Sequence, residues 1–225
     1  ANYVRLRALA RDARTLVFDG GYVFDSVYRV ILERRLRGVW IRRGLWQASQ
    51  DNSVALDREK VFDRVIVPGE AFEELNETYS RGDHVRLVGP IVQRLTLDPA
   101  RRADLRARLA ERFGLPFERL VVTLLGAGVA ADRGAQLQAL CGMMERRTDV
   151  LHLILVWPTA VLQPVWLGWS RSRLVKTHSA GVLAAAADFC VGAAGYNFFH
   201  ETLYNRVPAV FVPQTGSYMD DQRAR

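Results

Sequence analysis

The sequence predicts an α/β fold with parallel β-sheets arranged in two domains. Short apolar runs, typical of buried strands, alternate along the chain with amphipathic helical segments, and this alternation favours parallel sheets. A Gly-Pro turn at Gly89-Pro90 follows the last strand of the first series and marks a boundary. The chain has 225 residues, of which 49% are hydrophobic, so it is long enough for one large or two small globular domains.

The first predicted domain covers residues 1–92 and carries four strands. These strands are predicted at 15–18, 39–41, 62–68 and 85–88, and an amphipathic helix over 26–37 is expected to end at Gly38. The polar run 47–60 has little apolar periodicity, so it predicts a surface loop.

Residues 93–116 are predicted to form a hinge and a linker helix, and residues 117–225 the second domain. The linker helix spans 102–113 and is closed by Gly114 as its C-cap. In the second domain, strands are predicted at 120–125, 150–157, 174–178, 189–191 and 208–213, and helices over 133–144, over 179–187 and from Asn197 onward.

The stretch from residue 188 to residue 222 carries the strongest functional pattern. Gly192 and Gly195 follow a buried strand, where glycines permit a tight turn and a close approach of backbone to a ligand. Asn197 is a good N-cap for the next helix, and the N–H groups at a helix N-terminus favour a phosphate. Glu201 lies about one turn further in, where its carboxylate can accept hydrogen bonds from a ribose diol. The pattern predicts a cradle for a nucleotide diphosphate.

A second glycine turn supports the same prediction. Gly126, Ala127 and Gly128 come directly after a predicted strand and before a helix. A Gly-x-Gly turn is a weak phosphate signal by itself, but it gains weight from the independent turn at Gly195.

These residues also carry a family resemblance. Gly195, Asn197 and Glu201, followed after a strand by Asp221-Gln222, resemble the donor-site signature of nucleotide-sugar glycosyltransferases of the GT-B fold. The chain looks most similar to bacterial, family 28-like transferases related to the UDP-N-acetylglucosamine transferase of peptidoglycan lipid-precursor synthesis. Many plant-type members have His where this chain has Ala193, and Ser where it has Phe198.

The resemblance implies two Rossmann-like domains, of which the N-terminal, acceptor-side domain is incomplete. Both ends of the chain look cut, so we expect a fragment. The implied reaction is transfer of a hexose or N-acetylhexosamine from a UDP-sugar to an acceptor hydroxyl without a metal, with the UDP-sugar as donor and no further cofactor. The implied donor-binding residues are Gly126, Ala127, Gly128, Val175, Lys176, Gly195, Tyr196, Asn197, Glu201, Asp221 and Gln222.

Three residues at strand ends of the first domain are candidates for the acceptor side. Asp19 follows the first strand, and Arg42 and Arg43 follow the second, at the edge where open α/β sheets bind ligands. Two arginines suit a phosphate, and nearby Trp46 suits a lipid–water interface. An anionic or lipid-linked acceptor, with peripheral membrane contact, fits this set. Turn and packing roles explain the same residues equally well.

Charge and composition narrow the partner classes. The formal charge of +7 favours anionic partners, but no nucleic-acid-binding motif is present, so nucleic acid is not expected. Cys141 and Cys190 lie in apolar segments and predict reduced core residues. With no spanning segment and no signal peptide, we expect a cytoplasmic protein, located at the inner face of the cytoplasmic membrane if its acceptor is lipid-linked.

The sequence leaves two other functions open and assigns no catalytic base. A UDP-sugar 2-epimerase shares the architecture, and a non-catalytic nucleotide-sugar-binding subunit would need a partner for its acceptor half. His178 and His200 are each expected to be satisfied structural groups. Asp220 and Asp221 favour an N-cap and a hydroxyl acceptor over a metal site, and no metal-ligand spacing occurs.

Overall fold

A computed structural model describes residues 2–76, 82–126, 133–160, 168–214 and 220–225. The chain divides into two compact units: Ala1–Ile91 together with Thr215–Arg225, and Val92–Gln214. The first boundary adjoins the predicted one at residue 92. The predicted linker 93–116 belongs to the second unit, and the C-terminal residues belong to the first.

The first unit is a four-stranded parallel sheet with helices. Its strands are β1 (Thr15–Asp19), β2 (Arg37–Ile41), β3 (Arg64–Pro68) and β4 (Val85–Val88), and its helices are α1 (Asn2–Leu9), α2 (Asp25–Arg34) and α3 (Ser53–Glu59). The strands lie in the order β1-β2-β3-β4, and each neighbouring pair is parallel. The four predicted strands are thus present.

Helix α2 ends earlier than predicted. The helix ends at Arg34 because Arg35 adopts the left-handed conformation, with φ of 51°. Gly38, predicted as the helix stop, instead lies in β2, where an added Cβ would come within 3.0 Å of the Phe62 ring.

Helix α3 was not predicted, because residues 47–60 looked like a surface loop. Its inward side is made by Ala55 and Glu59, which are both buried. Glu59 forms an ion pair with Arg42 in the interior, with Nε and Oε2 2.8 Å apart. A buried ion pair supplies no apolar periodicity, so the hydrophobic pattern did not reveal the helix.

The second unit is a five-stranded parallel sheet flanked by helices. Its strands are β5 (Arg119–Leu124), β6 (Val150–Val156), β7 (Ser172–Lys176), β8 (Phe189–Gly192) and β9 (Ala209–Phe211), and its helices are α4 (Pro99–Phe113), α5 (Gly134–Glu145), α6 (Ala180–Ala186) and α7 (Tyr196–Tyr204). The strand order is β7-β6-β5-β8-β9, and all pairs are parallel.

Helix α4 shows how local signals set the ends of an element. Asp98 caps it by accepting a hydrogen bond from the Arg101 backbone N–H at 2.8 Å, and Pro99 is its first residue. Gly114 closes it at φ of 59°, as predicted. The helix is anchored to the sheet by Asp188, which accepts hydrogen bonds from Arg102 and Arg106 at 2.7 and 2.8 Å.

The core of the second unit lies around β5, β6 and β8. All seven residues of β6 are buried, as expected of a central strand covered on both faces. Cys141 and Cys190 are buried and unpaired with each other, which agrees with the prediction of core thiols. Burial raises the pKa of both thiols, that of Cys190 to about 12, so both stay protonated and unreactive at neutral pH. Among the described helices, none has the length and apolarity needed to cross a bilayer.

Candidate functional site

The two predicted glycine turns start at neighbouring strand ends. Strands β5 and β8 are parallel neighbours in which Leu124 pairs with Gly192, and the Ala193 N–H donates to the Leu124 carbonyl at 2.9 Å. The turn at Gly126 and the turn leading to Gly195 therefore leave the same carboxyl edge of the sheet side by side. Open α/β sheets bind their ligands at this edge.

Gly126 has a conformation that favours glycine. Its φ is 101°, and no heavy atom beyond its chain neighbours lies within 4 Å of where a Cβ would be. Glycine is thus required by the backbone conformation rather than by crowding. Ala127 and Gly128, the other two residues of this predicted loop, lie outside the described residues.

Helix α7 begins earlier than predicted, because its N-cap lies two residues before Asn197. Gly195 is the N-cap, with φ of −68° and ψ of 147°, and Asn197 is the second helical residue rather than the cap. Gly192 also differs from its predicted role. A Cβ there would lie 2.0 Å from Cε1 of Phe198, so this glycine makes room for a core ring and not for a ligand.

A cleft of about 220 Å³ lies in the second unit beside helices α6 and α7, and we call it the α6–α7 cleft. It contains two of the predicted donor residues, Asn197 and Glu201. Ligand pockets commonly measure roughly 300–1,000 Å³, so this cleft suits one part of a ligand, such as a nucleoside. Its lining comprises Gln93, Leu124, His178, Ala180, Gly181, Ala184, Ala185, Asn197, Phe198, Glu201, Thr202, Asn205 and Val207.

Glu201 is the acidic group of this cleft. Its side chain is half-buried, and burial raises the pKa of its carboxyl. On the facing helix, Gly181 lies beside this carboxylate: a Cβ there would lie 3.5 Å from Glu201 Oε2 and 2.8 Å from Leu95 Cδ1. The lack of a side chain at residue 181 thus allows the Leu95 methyl group to pack against this helix, next to the carboxylate.

Two further polar residues of the cleft, Gln93 and Asn205, were not predicted from the sequence. Asn205 follows α7 and holds the segment before α4: its Oδ1 accepts from the Leu95 N–H at 2.9 Å, and its Nδ2 donates to the Gln93 carbonyl at 3.3 Å. Gln93 and Asn205 are 112 residues apart in the chain, so no local spacing could have linked them. The only available signal was the position of Gln93 at the start of the predicted hinge.

The other predicted donor residues of this unit take different positions. Val175 is partly buried in the core of the sheet, whereas Lys176 is the exposed last residue of β7. Tyr196 is buried against His200, with ring centroids 4.1 Å apart. His178 is exposed beside Trp157, and it is the described histidine that lines the α6–α7 cleft.

His200 is a structural group, as predicted. Its side chain is fully buried, and Nδ1 hydrogen-bonds the Tyr196 carbonyl at 2.7 Å. This contact spans one turn of α7, so the imidazole stabilises the helix that carries Asn197 and Glu201.

In the first unit, the structure brings Asp19 and Arg43 together but places Arg42 elsewhere. Asp19 Oδ1 and Arg43 Nη2 are 4.0 Å apart at neighbouring strand ends, and the Asp19 carboxylate is exposed. Arg42 is fully buried and paired with Glu59, and its guanidinium lies 4.6 Å above the Trp46 ring. Trp46 is buried too, so Arg42 and Trp46 are packing residues here rather than a surface for an acceptor or a lipid.

Asp221 and Gln222 belong to the first unit. Asp221 Oδ1 accepts from the backbone N–H groups of Arg223 and Ala224 at 3.1 and 3.3 Å, and the residues that follow it form a turn, as is common after an aspartate whose side chain bonds the backbone. Arg225 holds this segment, because its buried guanidinium pairs with both carboxylate oxygens of Glu70 at 2.7 Å.

Comparison with known proteins identifies the fold. No protein-family model and no curated protein sequence matches the chain. A putative UDP-N-acetylglucosamine 2-epimerase from Listeria monocytogenes matches 96% of this chain with a TM-score of 0.61 and 12% identity. MnaA of S. aureus, in a co-structure with UDP, matches 97% with a TM-score of 0.60 and 10% identity. The glycotransferase of kitacinnamycin matches 96% with a TM-score of 0.54 and 11% identity.

The chain covers 61%, 61% and 62% of these three solved chains, respectively. At such low identities the likeness establishes the fold alone, which is the α/β arrangement of parallel, Rossmann-like sheets of GT-B proteins. The predicted fold class is thereby confirmed. Proteins of this fold include both UDP-N-acetylglucosamine 2-epimerases and glycosyltransferases.

Proposed function

We propose that the second unit binds the nucleotide of a UDP-sugar, and that the protein transfers the hexose or N-acetylhexosamine to an acceptor hydroxyl without a metal. The observation that carries this proposal is the α6–α7 cleft, where Asn197 and Glu201 lie one turn apart on α7. The two glycine turns at the ends of β5 and β8 lie at the same edge of the sheet.

The chemistry of this site follows from its groups. The N-terminus of α7 offers backbone N–H groups and a positive dipole end to a diphosphate. The half-buried Glu201 carboxylate accepts hydrogen bonds from ribose hydroxyls. As the glycosidic bond breaks, negative charge grows on the departing diphosphate, and donors already oriented towards it stabilise that charge. Exposed Lys176 at the end of β7 adds a cation at this edge.

The acceptor half of the proposal rests on fewer groups. Exposed Asp19 and partly buried Arg43 form an ion pair at the carboxyl edge of the first sheet, which suits a polar or anionic acceptor. We extend this proposal to an acceptor that is linked to a lipid, with the protein located at a membrane surface. Asp221 and Gln222 are carried over from the family resemblance as contacts to the sugar or diphosphate.

Turnover assays separate this function from its alternatives. The protein is incubated with UDP-N-acetylglucosamine or UDP-glucose, with and without candidate acceptor lipids, and both UDP release and sugar epimers are quantified. Acceptor-dependent UDP release supports a transferase. A 2-epimer of the sugar nucleotide formed without acceptor shows an epimerase instead. Donor binding with neither product favours a non-catalytic subunit.

The ribose role of Glu201 predicts a defined loss of affinity. Glu201→Ala should weaken UDP binding by about 1–3 kcal/mol, because a charged acceptor of hydrogen bonds is lost, which corresponds to roughly 5- to 150-fold in Kd. Calorimetric titration with UDP measures the change. Glu111→Ala, which removes an exposed glutamate from α4, is the matched control and should bind UDP normally.

The same carboxylate predicts a pH dependence. Burial raises the pKa of Glu201, and its protonated form is a weaker acceptor of hydrogen bonds. UDP affinity should therefore fall as the pH drops through this raised pKa, and Glu201→Gln should flatten that part of the profile. Unchanged affinity in Glu201→Ala, or an identical pH profile in Glu201→Gln, would exclude the ribose role.

A further inference from the structure

Gln93 faces the same point in the α6–α7 cleft as Glu201. A Cβ built on Gly181 would lie 3.5 Å from Glu201 Oε2 and 3.8 Å from Gln93 Oε1. The two side-chain oxygens therefore lie near each other beside the Gly181 backbone. Both residues line the cleft.

The backbone of residues 93–95, which forms one wall of the cleft, is held independently of the Gln93 side chain. Asn205 accepts from the Leu95 N–H and donates to the Gln93 carbonyl, so both contacts engage main-chain atoms of the 93–95 segment. The Leu95 side chain also packs towards Gly181, with its Cδ1 2.8 Å from the built Cβ. Truncating Gln93 therefore leaves the position of the wall intact.

A carboxylate and a carboxamide that line the same part of one cleft are complementary to a pair of adjacent hydroxyls. The carboxylate only accepts hydrogen bonds, whereas the carboxamide both donates and accepts. Each hydroxyl of a vicinal diol has one proton to donate and lone pairs that accept. One hydroxyl can thus donate to Glu201 while its neighbour exchanges a hydrogen bond with Gln93.

We propose that Gln93 is a ligand-contacting residue that, together with Glu201, makes the α6–α7 cleft selective for a nucleotide with an intact ribose diol over its deoxyribose analogues. This inference rests on the proposed function, since it assumes that the cleft holds the nucleoside of a UDP-sugar. It adds a residue from the segment before α4 to a site otherwise built from α6 and α7.

Gln93→Ala tests the inference with three probes: UDP, 2′-deoxy-UDP and 3′-deoxy-UDP, titrated by calorimetry into the full chain. The variant should bind UDP about fivefold more weakly, the factor expected for one lost hydrogen bond. Its affinity for one of the two deoxy analogues should not change, because that analogue already lacks the hydroxyl that Gln93 contacts. Gln136→Ala removes the same side chain from an exposed position on α5 and should match the unaltered protein with all three probes.

Two results would overturn the role of Gln93. The first is a UDP affinity of Gln93→Ala equal to that of the unaltered protein, and the second is an equal loss for all three probes, which would indicate a general effect on this segment. Failure of the unaltered protein to bind UDP at all would instead overturn the proposed function.

Discussion

His152 lies at the centre of a buried row of hydrogen bonds across the second sheet. Its imidazole on β6 is fully buried, with Nε2 2.8 Å from Thr123 Oγ1 on β5 and Nδ1 2.8 Å from Ser172 Oγ on β7. Because each hydroxyl either donates or accepts, the row is satisfied by neutral imidazole. Protonation would place a charge in the core of the sheet.

The lowered pKa of His152 sets the size of the expected loss of stability at low pH. Burial lowers the pKa of His152 to about 4, while the Glu145 carboxylate opposes part of that shift. In the unfolded chain a histidine has a pKa of about 6.5, so between these two values the unfolded state binds more protons than the folded state. Stability should therefore be complete above about pH 6.5 and fall as the pH drops towards about 4. At pH 5 the loss is about 2 kcal/mol, and it approaches about 3 kcal/mol near pH 4.

Urea unfolding at several pH values between 7 and 5 measures this loss. The comparison is between the unaltered protein and His152→Gln, whose carboxamide keeps hydrogen-bonding groups near both hydroxyls but does not titrate. Any other group that titrates in this range contributes to both proteins and cancels in the difference. The free energy of unfolding should fall by about 2 kcal/mol more in the unaltered protein than in the variant.

Parallel pH curves for the two proteins would refute this reasoning, because they would mean that His152 takes up its proton equally in both states. A lower overall stability of His152→Gln would not affect the conclusion, since only the dependence on pH carries it. An NMR titration of the folded protein offers a direct check, with an expected imidazole midpoint of about 4.

Two further substitutions test the packing that supports the site and the first unit. Gly192→Ala places a methyl group 2.0 Å from Phe198 Cε1, so it should lower stability by about 1–3 kcal/mol; a Tm equal to that of the unaltered protein would contradict this close fit. Glu59→Ala leaves buried Arg42 without its carboxylate partner and should lower stability by about 3–5 kcal/mol. If the urea midpoint shows a loss below about 1 kcal/mol, the ion pair does not stabilise the first unit as described.

Local signals predicted most of the regular structure. Strands β1 to β9 and helices α2 and α4 to α7 all fall near their predicted positions, since apolar period, glycine and proline act within a few residues. Predicted helix ends were wrong where another residue ended the helix first or where a capping residue was not recognised. Arg35 ends α2 before Gly38, and Asp98-Pro99 starts α4 three residues before its predicted start.

The candidate site was predicted in part. Asn197 and Glu201 were expected to act together, and their shared cleft brings them together, because three- and four-residue spacings on one helix place side chains on one face. Gln93, Gly181 and Asn205 were not expected. They reach the cleft from separate segments, and only the folded chain shows which segments meet.

The sequence by itself determined the fold class, the run of strands and most of the helices, because these depend on interactions between residues close in the chain. Only the tertiary structure decided which polar groups are buried and which are available to a ligand. It enclosed Arg42 with Glu59, filled the space at Gly192 with the Phe198 ring, and brought Glu201 and Gln93 together beside Gly181. Those outcomes depend on close packing between distant segments, where a shift of a single methyl group matters.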